Sequence, residues 1–370
     1  MIPIAKPYFT KADEDAVAKT IRSGWVLQGP NVEKFEKLLA SYTSTPYAVA
    51  TSSATTAMHM GLIAAGIGTG DEVIVPSFSF IATANCVVHA GATPVFADID
   101  PNTYNIDHTD VERKITKKTR AILVVHQVGL AADMPKLTKI ARTHKLLLFE
   151  DAACGLGSKI DGKHVGSWGT WAAFSFHPRK AITTAEGGML VTRNKKIALT
   201  VQMLRAHGAN IDVKKRDGSR KVLIESYPLV GYNFRMSDIH AALGLSQLIN
   251  LESIFSSRQK LARRYNDAFR NLSRITPPFT PNGYYHTYQS YMIRVRTHRN
   301  HLMQKLLDAG IATRRGIPCA HLEQPYRKLY PKLGLPHSEK ASAETLTIPI
   351  YHGMTQKEQN FVIDRILAFV

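Results

Sequence analysis

Between residues 47 and 150, short apolar runs alternate with segments that have the apolar spacing of amphipathic helices. The runs predict strands at YAVA (47–50), EVIV (72–75), TPVFA (93–97), AILVVH (121–126) and LLLFE (146–150). The segments between them predict helices over 54–65, about 81–90, near 109–116 and over 134–144. Short apolar strands joined by helical crossovers are typical of parallel sheets with helices on both faces. The pattern therefore predicts an α/β fold with a large, mostly parallel sheet.

The pattern changes in the rest of the chain. AAFSF (172–176) and GMLV (188–191) predict two further strands with no helix between them, and residues 207–228 are polar. Helices are predicted at 195–206, from about 237 to 270 with one bend, at 299–309 and at 355–369, and QSYMIRVR (289–296) alternates like an exposed strand. We therefore predict a large domain over residues 1–245 and a smaller C-terminal α+β domain over residues 246–370.

Composition favours a soluble globular protein. The chain has 370 residues, of which 44% are hydrophobic, and no apolar run reaches the roughly 18 residues that a membrane helix needs. Pro3 and Pro7 precede any apolar run, which argues against a secretory signal peptide. Three scattered cysteines are too few for a disulfide framework or a zinc site. We expect a cytoplasmic protein with no membrane partner.

The net charge of +18 predicts attraction to polyanions or to phosphorylated ligands. A nucleic-acid binder and an enzyme with a phosphorylated substrate both fit this charge. The basic residues are dispersed, and there is no recognition helix, zinc-finger spacing or aromatic RNA-binding signature. The densest basic group lies in a polar stretch and consists of Lys214, Lys215, Arg216, Arg220 and Lys221. We interpret it as a solvated surface and expect no nucleic-acid partner.

The glycines of GIGTG, at positions 66, 68 and 70, do not match a dinucleotide-binding loop. Such a loop has glycines at its first, third and sixth positions, directly after a strand and at the start of a helix. Here the sixth position is Asp71, and the motif follows a predicted helix and precedes a predicted strand. The glycines instead indicate a helix C-cap and a turn, so nicotinamide binding is rejected.

A series of acidic residues could suggest a metal site, and its members are Asp98, Asp100 and Asp107. Each lies at a predicted strand end or turn, where aspartate is locally favoured. We therefore predict turns at these positions and no metal.

The segment from 149 to 190 contains the most informative pair of residues. FEDAA places Asp151 at the C-terminal end of a buried strand, where open α/β sheets bind ligands. Lys180 comes 29 residues later, at the end of SFHPRK and before the glycine-bearing AEGG. Pyridoxal phosphate needs a lysine for its Schiff base and a carboxylate that keeps the pyridinium nitrogen protonated. The pair indicates this cofactor, although both residue types are common at such positions.

Two further segments strengthen that indication. TSSATTAMH follows a strand and opens a helix, so its backbone N–H groups and the hydroxyls of Ser53 and Thr55 could hold a phosphate. An ordinary helix N-cap would have the same sequence. PSFSF follows the next strand and places Phe78 and Phe80 at the mouth of the sheet, where an aromatic ring could stack on a flat cofactor or belong to the core.

Taken together, the chain resembles the nucleotide-sugar aminotransferases of the DegT/DnrJ/EryC1/StrS group, within fold type I of the pyridoxal-phosphate enzymes. The resemblance extends from about residue 1 to 370 in consistent order. It rests on SGWVLQGP (23–30), SSATTAMH, GDEVIVPSFSFIATAN (70–85), GATPVFADID (91–100), EDAAC, FSFHPRKAITTAEGG, GYNFRMSDIHAALG, HLEQPY (321–326) and TIPIYHGMT.

The resemblance implies roles for the residues that match the family's motifs. Lys180 matches the Schiff-base lysine, and Asp151 matches the partner of the pyridine nitrogen. Phe80 matches an aromatic residue that stacks on the cofactor ring. The residues at the family's phosphate-binding positions are Ala54, Thr55 and Ser175. Because the family's dehydratases have histidine in place of Lys180, the lysine favours amino transfer.

Other matches concern the partner subunit and the substrate. Asn233 matches an asparagine that reaches the phosphate in the neighbouring subunit, which implies a homodimer with shared active sites. Arg314 and His321 lie where the family contacts its sugar nucleotide, although ordinary surface residues would fit there equally well. Cys154 departs from the family's usual glutamine or histidine near the phenolic oxygen, and a thiol is a poor hydrogen-bond donor.

The resemblance implies an aminotransferase that uses pyridoxal 5'-phosphate and converts a nucleotide-linked 4-keto-6-deoxy sugar to the amino sugar, with L-glutamate as donor. Transfer to a 3-keto sugar or a keto-inositol is the alternative closest in chemistry. A non-catalytic, cofactor-binding regulatory protein is a further alternative. Retention of both Lys180 and Asp151 argues against the regulator.

Overall fold

The structure is a computed structural model that describes residues 1–211, 219 and 221–370. Its centre is a seven-stranded sheet in which one strand is antiparallel to its two neighbours and all other pairs are parallel. In spatial order the strands are β1 (Tyr47–Thr51), β9 (Gly188–Thr192), β8 (Trp171–Ser175), β5 (Leu147–Asp151), β4 (Thr119–Val125), β2 (Glu72–Pro76) and β3 (Thr93–Ala97). The antiparallel strand is β9, which follows β8 without a helical crossover. The predicted mostly parallel sheet is confirmed.

The helices in the described part of the chain are α1 (Lys11–Arg22), α2 (Pro30–Tyr42), α3 (Ala54–Ala64), α4 (Ala82–His89), α5 (His108–Arg113), α6 (Met134–Thr143), α7 (Lys195–Leu204), α8 (Asp238–Leu248), α9 (Leu251–Phe269), α10 (Arg299–Asp308), α11 (Gln324–Arg327), α12 (Pro336–Glu344) and α13 (Gln356–Phe369). None of them is long and apolar enough to span a bilayer. Of the basic group in the polar stretch, Lys214, Lys215, Arg216 and Arg220 lie outside the described residues.

Successive strand residues of the large sheet pack into two separate hydrophobic clusters. Ile122 belongs to the cluster that includes side chains of α2 and α6, and Leu123 belongs to the one that includes side chains of α3, α4 and α7. Side chains of a strand alternate between the two faces of its sheet, so each cluster covers one face. Helices therefore cover both faces, as the continuous apolar runs predicted.

The C-terminal part of the chain has a second, smaller sheet. Its order is β10 (Ile275–Thr276), β12 (Tyr291–Val295), β14 (Thr345–Ile348) and β13 (Arg314–Arg315), and all pairs are antiparallel. The expectation of an exposed strand at 289–296 is wrong, because β12 lies between two other strands. Ile293 packs into the small core, Met292 packs on the opposite side against Phe78, and Arg294 is paired with Glu344.

The predicted long helix with one bend consists of α8 and α9, which are separated at Ile249 and Asn250. The first half of α9 packs on the large sheet through Ile254 and Phe255, and the second half belongs to the small core. At the other end of the chain, Ile2 pairs with Ile311, so the first residues also pack on the small sheet. The domain boundary between 245 and 246 stays a prediction.

Three short strands join the two parts. They form a sheet in the order β11 (Tyr284–Tyr285), β6 (Lys159–Ile160) and β7 (Lys163–His164). Because β11 comes from the C-terminal region while β6 and β7 follow β5, this small sheet fixes the C-terminal region beside the end of β5.

The glycine and aspartate motifs form turns and caps. Gly66 has a φ of +80°, and the N–H groups of Gly66 and Ile67 donate to the carbonyls of Ile63 and Leu62, so GIGTG begins with a Schellman C-cap of α3. Asp100 accepts from nearby turn N–H groups, and Asp107 caps α5. Asp98 differs from the prediction of a local turn, because it accepts from N–H groups in the first turn of the distant helix α12.

Candidate active site

Asp151 lies at the carboxyl end of β5, and only 5% of it is exposed. Thr83 Oγ1 donates to Oδ2 at 2.7 Å, and the Ala153 N–H donates to Oδ1 at 3.2 Å. Burial raises the pKa of Asp151, and the influences that oppose it are, in decreasing order, these hydrogen bonds, the positive charge of Lys180 and the proximity of His126. A carboxylate has about four lone-pair sites, so two donors leave it able to accept from a ligand.

Lys180 lies on the loop between β8 and β9, close to the segment that follows Asp151. Its backbone N–H donates to the carbonyl of His177 at 2.8 Å, which forms a tight turn. Its Nζ donates to Cys154 Sγ at 3.1 Å. The structure thus brings Lys180 and Asp151 together, and Cys154, the departure from the family pattern, is the lysine's immediate neighbour.

The start of α3 lies against the same edge of the sheet. Gly188 of β9 pairs with Thr51 on one side and with Ser175 on the other. A Cβ at position 188 would lie only 2.3 Å from the backbone nitrogen of Ala54, so glycine is needed for the helix to approach the strand this closely. The close approach places the N-terminus of α3 beside Ser175.

Two donors at this N-terminus are available. Ser53 caps α3 by accepting from the Thr56 N–H at 3.1 Å, which confirms the N-cap interpretation of the serine. The N–H groups of Ala54 and Thr55 have no acceptor within the described ranges. Free N–H groups in the first turn of a helix form a binding site for an anion such as phosphate.

Phe80 follows β2 and has a side chain that is 68% exposed, whereas Phe78 is buried in the core. Of the two aromatic residues that the sequence placed at the mouth of the sheet, only Phe80 therefore presents a ring to a ligand. The helix that follows begins at Ala82, and its second residue is Thr83, the donor to Asp151. The exposed ring and the buried carboxylate are thus linked through one short segment.

Asn233 is exposed, and its backbone bridges to Ala206. The adjacent carbonyl of Phe234 accepts from the Ser52 N–H at 2.8 Å, so the GYNFRM segment lies next to the residue that precedes the α3 cap. Its role toward the phosphate of a second subunit stays a prediction.

The two predicted substrate contacts have different environments. Arg314 is exposed on the short strand β13. His321 is only 1% exposed, and its ring nitrogens contact Ser77 Oγ at 2.5 Å and Glu339 Oε1 at 3.3 Å. Burial lowers the pKa of His321. Because both nitrogens already have protein partners, the structure supports an anchoring role for this histidine, and its contact with substrate stays a prediction.

Arg179, directly before Lys180, is a cation that the sequence did not single out. Burial lowers its pKa, and the nearby positive charge of Arg314 lowers it further. In the part of the chain that the structure describes, neither guanidinium has a carboxylate partner. Both residues are exposed, and two nearby guanidinium groups without counter-ions are suited to an anionic group.

These residues fit pyridoxal phosphate. The free N–H groups of α3 would hold its phosphate, and Asp151 retains acceptor capacity for the ring nitrogen. The exposed ring of Phe80 would stack on the cofactor, and Lys180 is within reach of the same edge. The sequence had no signal for Thr83, whose role depends on a contact between distant residues. Gly188 and Arg179 belong to motifs that it had already identified, AEGG and SFHPRK.

Comparison with known proteins agrees with this site. Residues 7–367 match the profile of the DegT/DnrJ/EryC1/StrS aminotransferase family. The chain is 35% identical to the uncharacterized protein MJ1066 of Methanocaldococcus jannaschii, over 100% of this chain and 97% of that protein.

Solved structures share the whole fold. Spr1654 of Streptococcus pneumoniae, described as a sugar aminotransferase and solved in its PMP form, is 30% identical with a TM-score of 0.93, over 100% of this chain and 99% of the other. PseC of Helicobacter pylori, described as an aminotransferase involved in the biosynthesis of pseudoaminic acid, is 27% identical with a TM-score of 0.93, over 100% and 98% of the two chains. The chain therefore belongs to the DegT/DnrJ/EryC1/StrS aminotransferase family, and its cofactor is pyridoxal phosphate.

Proposed function

We propose that this protein transfers an amino group from L-glutamate to a nucleotide-linked 4-keto-6-deoxy sugar. The observation that carries the proposal is the pair Arg179 and Arg314. Arg179 directly precedes Lys180, the charges of both arginines act on His177, and neither guanidinium has a carboxylate partner in the described ranges. A nucleotide diphosphate is the anion that such a pair accommodates best, because guanidinium groups bind phosphate oxygens in a bidentate manner. The net charge of +18 would also attract this substrate.

The descriptions of two structural neighbours support a sugar as acceptor. Spr1654 is described as a sugar aminotransferase, and PseC as an aminotransferase in pseudoaminic acid biosynthesis. Both cover nearly the whole of this chain. We extend the sugar substrate to this protein on that basis, and we choose the 4-keto position from the family resemblance.

The residues of the chain would divide the chemistry between them. When bound, pyridoxal phosphate supplies an electron sink for the carbon that loses its proton. Asp151 would keep the ring nitrogen protonated through a charge-assisted hydrogen bond. Lys180 would hold the cofactor at rest and, once released, move the proton as general base and then as general acid.

Borohydride reduction tests the role of Lys180. The purified holoenzyme should show a visible absorption band that reduction removes, and peptide mapping should find the label on Lys180. The Lys180→Arg variant keeps the positive charge but cannot form the covalent bond, so it should take up no label. Label on another lysine in the wild-type protein would overturn the assignment.

A panel of nucleotide-linked keto sugars tests the substrate. We expect turnover with 4-keto-6-deoxy sugars, and the comparison includes 3-keto sugars and keto-inositols. Arg314→Gln should raise KM for the sugar nucleotide about tenfold or more, because a charge-assisted hydrogen bond contributes about 1.5–3 kcal/mol. The matched control is Arg315→Gln, the next residue on β13, whose guanidinium pairs with Glu323. Preferred turnover of a keto-inositol or a 3-keto sugar would replace the proposed substrate, and no turnover of any acceptor would favour the regulatory alternative.

We also propose a homodimer in which each active site uses residues of both subunits. Large apolar side chains are exposed around the GYNFRM segment, namely Val26, Leu27, Tyr227, Leu229 and Val230. Large apolar side chains exposed in one region are typical of a protein interface.

A mixed dimer tests the shared site. Co-expressed Lys180→Ala and Asn233→Ala chains with different tags give dimers with one doubly defective site and one intact site, if Asn233 serves its partner. Such dimers should regain up to about half of the wild-type activity per dimer. A mixed dimer no more active than its parents would mean that Asn233 serves its own subunit or does not act on the phosphate.

A further inference from the structure

A short chain of buried hydroxyl groups leads to Asp151. Thr83 Oγ1 lies 2.7 Å from Asp151 Oδ2, and Ser79 Oγ lies 2.8 Å from Thr83 Oγ1. Ser79 is 2% exposed and Thr83 is 1% exposed. Threonine hydroxyls in helix interiors commonly donate to a backbone carbonyl of the preceding turn. Thr83 lies in the first turn of α4, and its hydroxyl is directed at the carboxylate.

The direction of these hydrogen bonds follows from the number of protons. A hydroxyl has one proton to donate, and an ionised carboxylate only accepts. When Asp151 is ionised, Thr83 therefore donates to Asp151, and Ser79 must donate to Thr83. Each bond polarises the next, so the chain Ser79–Thr83–Asp151 is stronger than two separate bonds.

The same chain connects the carboxylate to the exposed aromatic ring. Ser79 and Thr83 flank Phe80, and the Thr83 N–H donates to the Phe80 carbonyl at 3.1 Å. Movement of Asp151 would therefore disturb the backbone that bears Phe80. The other donor to the Asp151 carboxylate is the Ala153 N–H, whose distance of 3.2 Å is longer than that of the Thr83 hydroxyl.

We propose that Thr83 is a positioning residue, whose hydroxyl, oriented by Ser79, fixes the Asp151 carboxylate relative to Phe80 and keeps it ionised for the ring nitrogen of pyridoxal phosphate. The inference rests on the role given to Asp151 in the proposed function, and it does not depend on which sugar is the acceptor. Burial disfavours the ionised form of Asp151, and the Thr83 hydrogen bond is the largest influence that opposes it.

Paired substitutions at position 83 test the proposal in the holoenzyme. Thr83→Val keeps the shape of the side chain and removes the hydroxyl, while Thr83→Ser keeps the hydroxyl and removes the methyl group. The first measurement is the rate of the half-reaction with glutamate, which is monitored through the change in cofactor absorbance. Thr83→Val should slow it about tenfold or more with KM for glutamate changed less than about twofold, because one hydrogen bond to a charged group is lost. Thr83→Ser should stay within about threefold of the wild type.

Two further readouts separate positioning from simple packing. Thr83→Val should move the acidic limb of the pH–rate profile to higher pH, because the carboxylate loses a bond that favours its ionised form. Its dissociation constant for pyridoxal phosphate, measured by titration of the apoprotein, should rise by about tenfold. Ser79→Ala should shift the acidic limb and the dissociation constant in the same directions by smaller amounts, since it removes only the hydrogen bond that orients the Thr83 hydroxyl.

Three results would overturn the proposal. The first is a Thr83→Val enzyme within twofold of the wild type in rate and cofactor affinity. The second is an equal loss in Thr83→Ser and Thr83→Val, which would mean that the methyl group matters. The third is a slower variant with an unshifted acidic limb. Failure of the proposed function is distinct, because the wild-type protein itself would then show no glutamate half-reaction.

Discussion

Two adjacent carboxylates at the end of β5 have opposite surroundings. Glu150 is completely buried and accepts four hydrogen bonds, from His126 Nε2 and from the N–H groups of Gly166, Trp168 and Gly169, at 2.7–3.0 Å. Asp151 is almost as buried but accepts only two, from Thr83 and Ala153. The two side chains project to opposite faces of the sheet because strand residues alternate.

The difference shows which acid is structural and which is available for chemistry. The two oxygens of Glu150 accept four donors, which fills the capacity of a carboxylate and fixes the 166–169 loop. His126 also accepts the Ala132 N–H at Nδ1, so its proton is on Nε2, facing Glu150. Asp151, by contrast, keeps unused acceptor capacity at the edge where Lys180 lies. Burial alone therefore does not distinguish the two acids, whereas the number of donors already satisfied does, and it favours Asp151 as the predicted partner of the cofactor.

Glu150→Gln should give the largest effect, as a loss of stability. The amide replaces one acceptor oxygen with a donor that faces two N–H groups. His126 cannot relieve this by changing tautomer, because its Nδ1 would then no longer accept the Ala132 N–H. We expect a loss of about 2–6 kcal/mol in the free energy of unfolding, since each of the two buried N–H groups left facing a donor costs about 1–3 kcal/mol. Chemical denaturation of the holoenzyme and of the apoprotein would measure it.

The matched control is the same chemical change on the neighbouring residue, Asp151→Asn. It should cost much less stability, because the Thr83 hydroxyl can turn to accept from the new amide while the Ala153 N–H still has an oxygen. Equal losses of stability in the two variants would contradict the distinction between a saturated and an available carboxylate.

Asp151→Asn should give the second largest effect, as a loss of turnover. An amide cannot hold the ring nitrogen protonated, so the electron sink is weakened while the cofactor can still bind. Removal of one electrostatic group from an active site costs about 10²–10³ in rate, and we expect a loss of that size in the glutamate half-reaction. Stopped-flow absorbance would measure it. A rate within tenfold of the wild type would mean that Asp151 does not act on the ring nitrogen.

The sequence predicted the strand that ends at Asp151 and the loop that carries Lys180 because both follow from local patterns. Apolar runs with helical spacing between them determine the parallel strands, and the carboxyl ends of such strands meet at one edge. The roles of these residues toward the cofactor remain predictions from the family resemblance.

Contacts between distant segments could not be predicted in this way. The Thr83–Asp151 hydrogen bond joins residues 68 positions apart, and Ser77 and His321 are 244 positions apart. No periodicity reports such a pairing. Strand β12 was misjudged for a related reason, since its alternation does not reveal that Met292 packs against the large domain and that Arg294 pairs with Glu344.

The smallest effect should appear in the pH dependence of the apoprotein's stability. Burial raises the pKa of Asp151 above that of the unfolded chain, so the folded protein keeps this proton to a higher pH than the unfolded protein does. The contribution of Asp151 to the free energy of unfolding is therefore greatest at pH values below its pKa in the unfolded chain. This contribution is lost as the pH rises through the higher pKa of the folded protein. Asparagine has no proton to lose. The stability of Asp151→Asn relative to the wild type should thus increase with pH over this window. Urea denaturation of the two apoproteins across the pH range would measure the difference.

Thr83→Val should give a larger effect of the same kind. Removal of the Thr83 hydroxyl raises the pKa of Asp151 in the folded protein further, so the loss of stability with rising pH should be greater than in the wild type. Parallel curves for the wild type and Asp151→Asn would mean that Asp151 is ionised without cost before the cofactor binds, and the contrast with Glu150 would then rest on hydrogen-bond capacity alone.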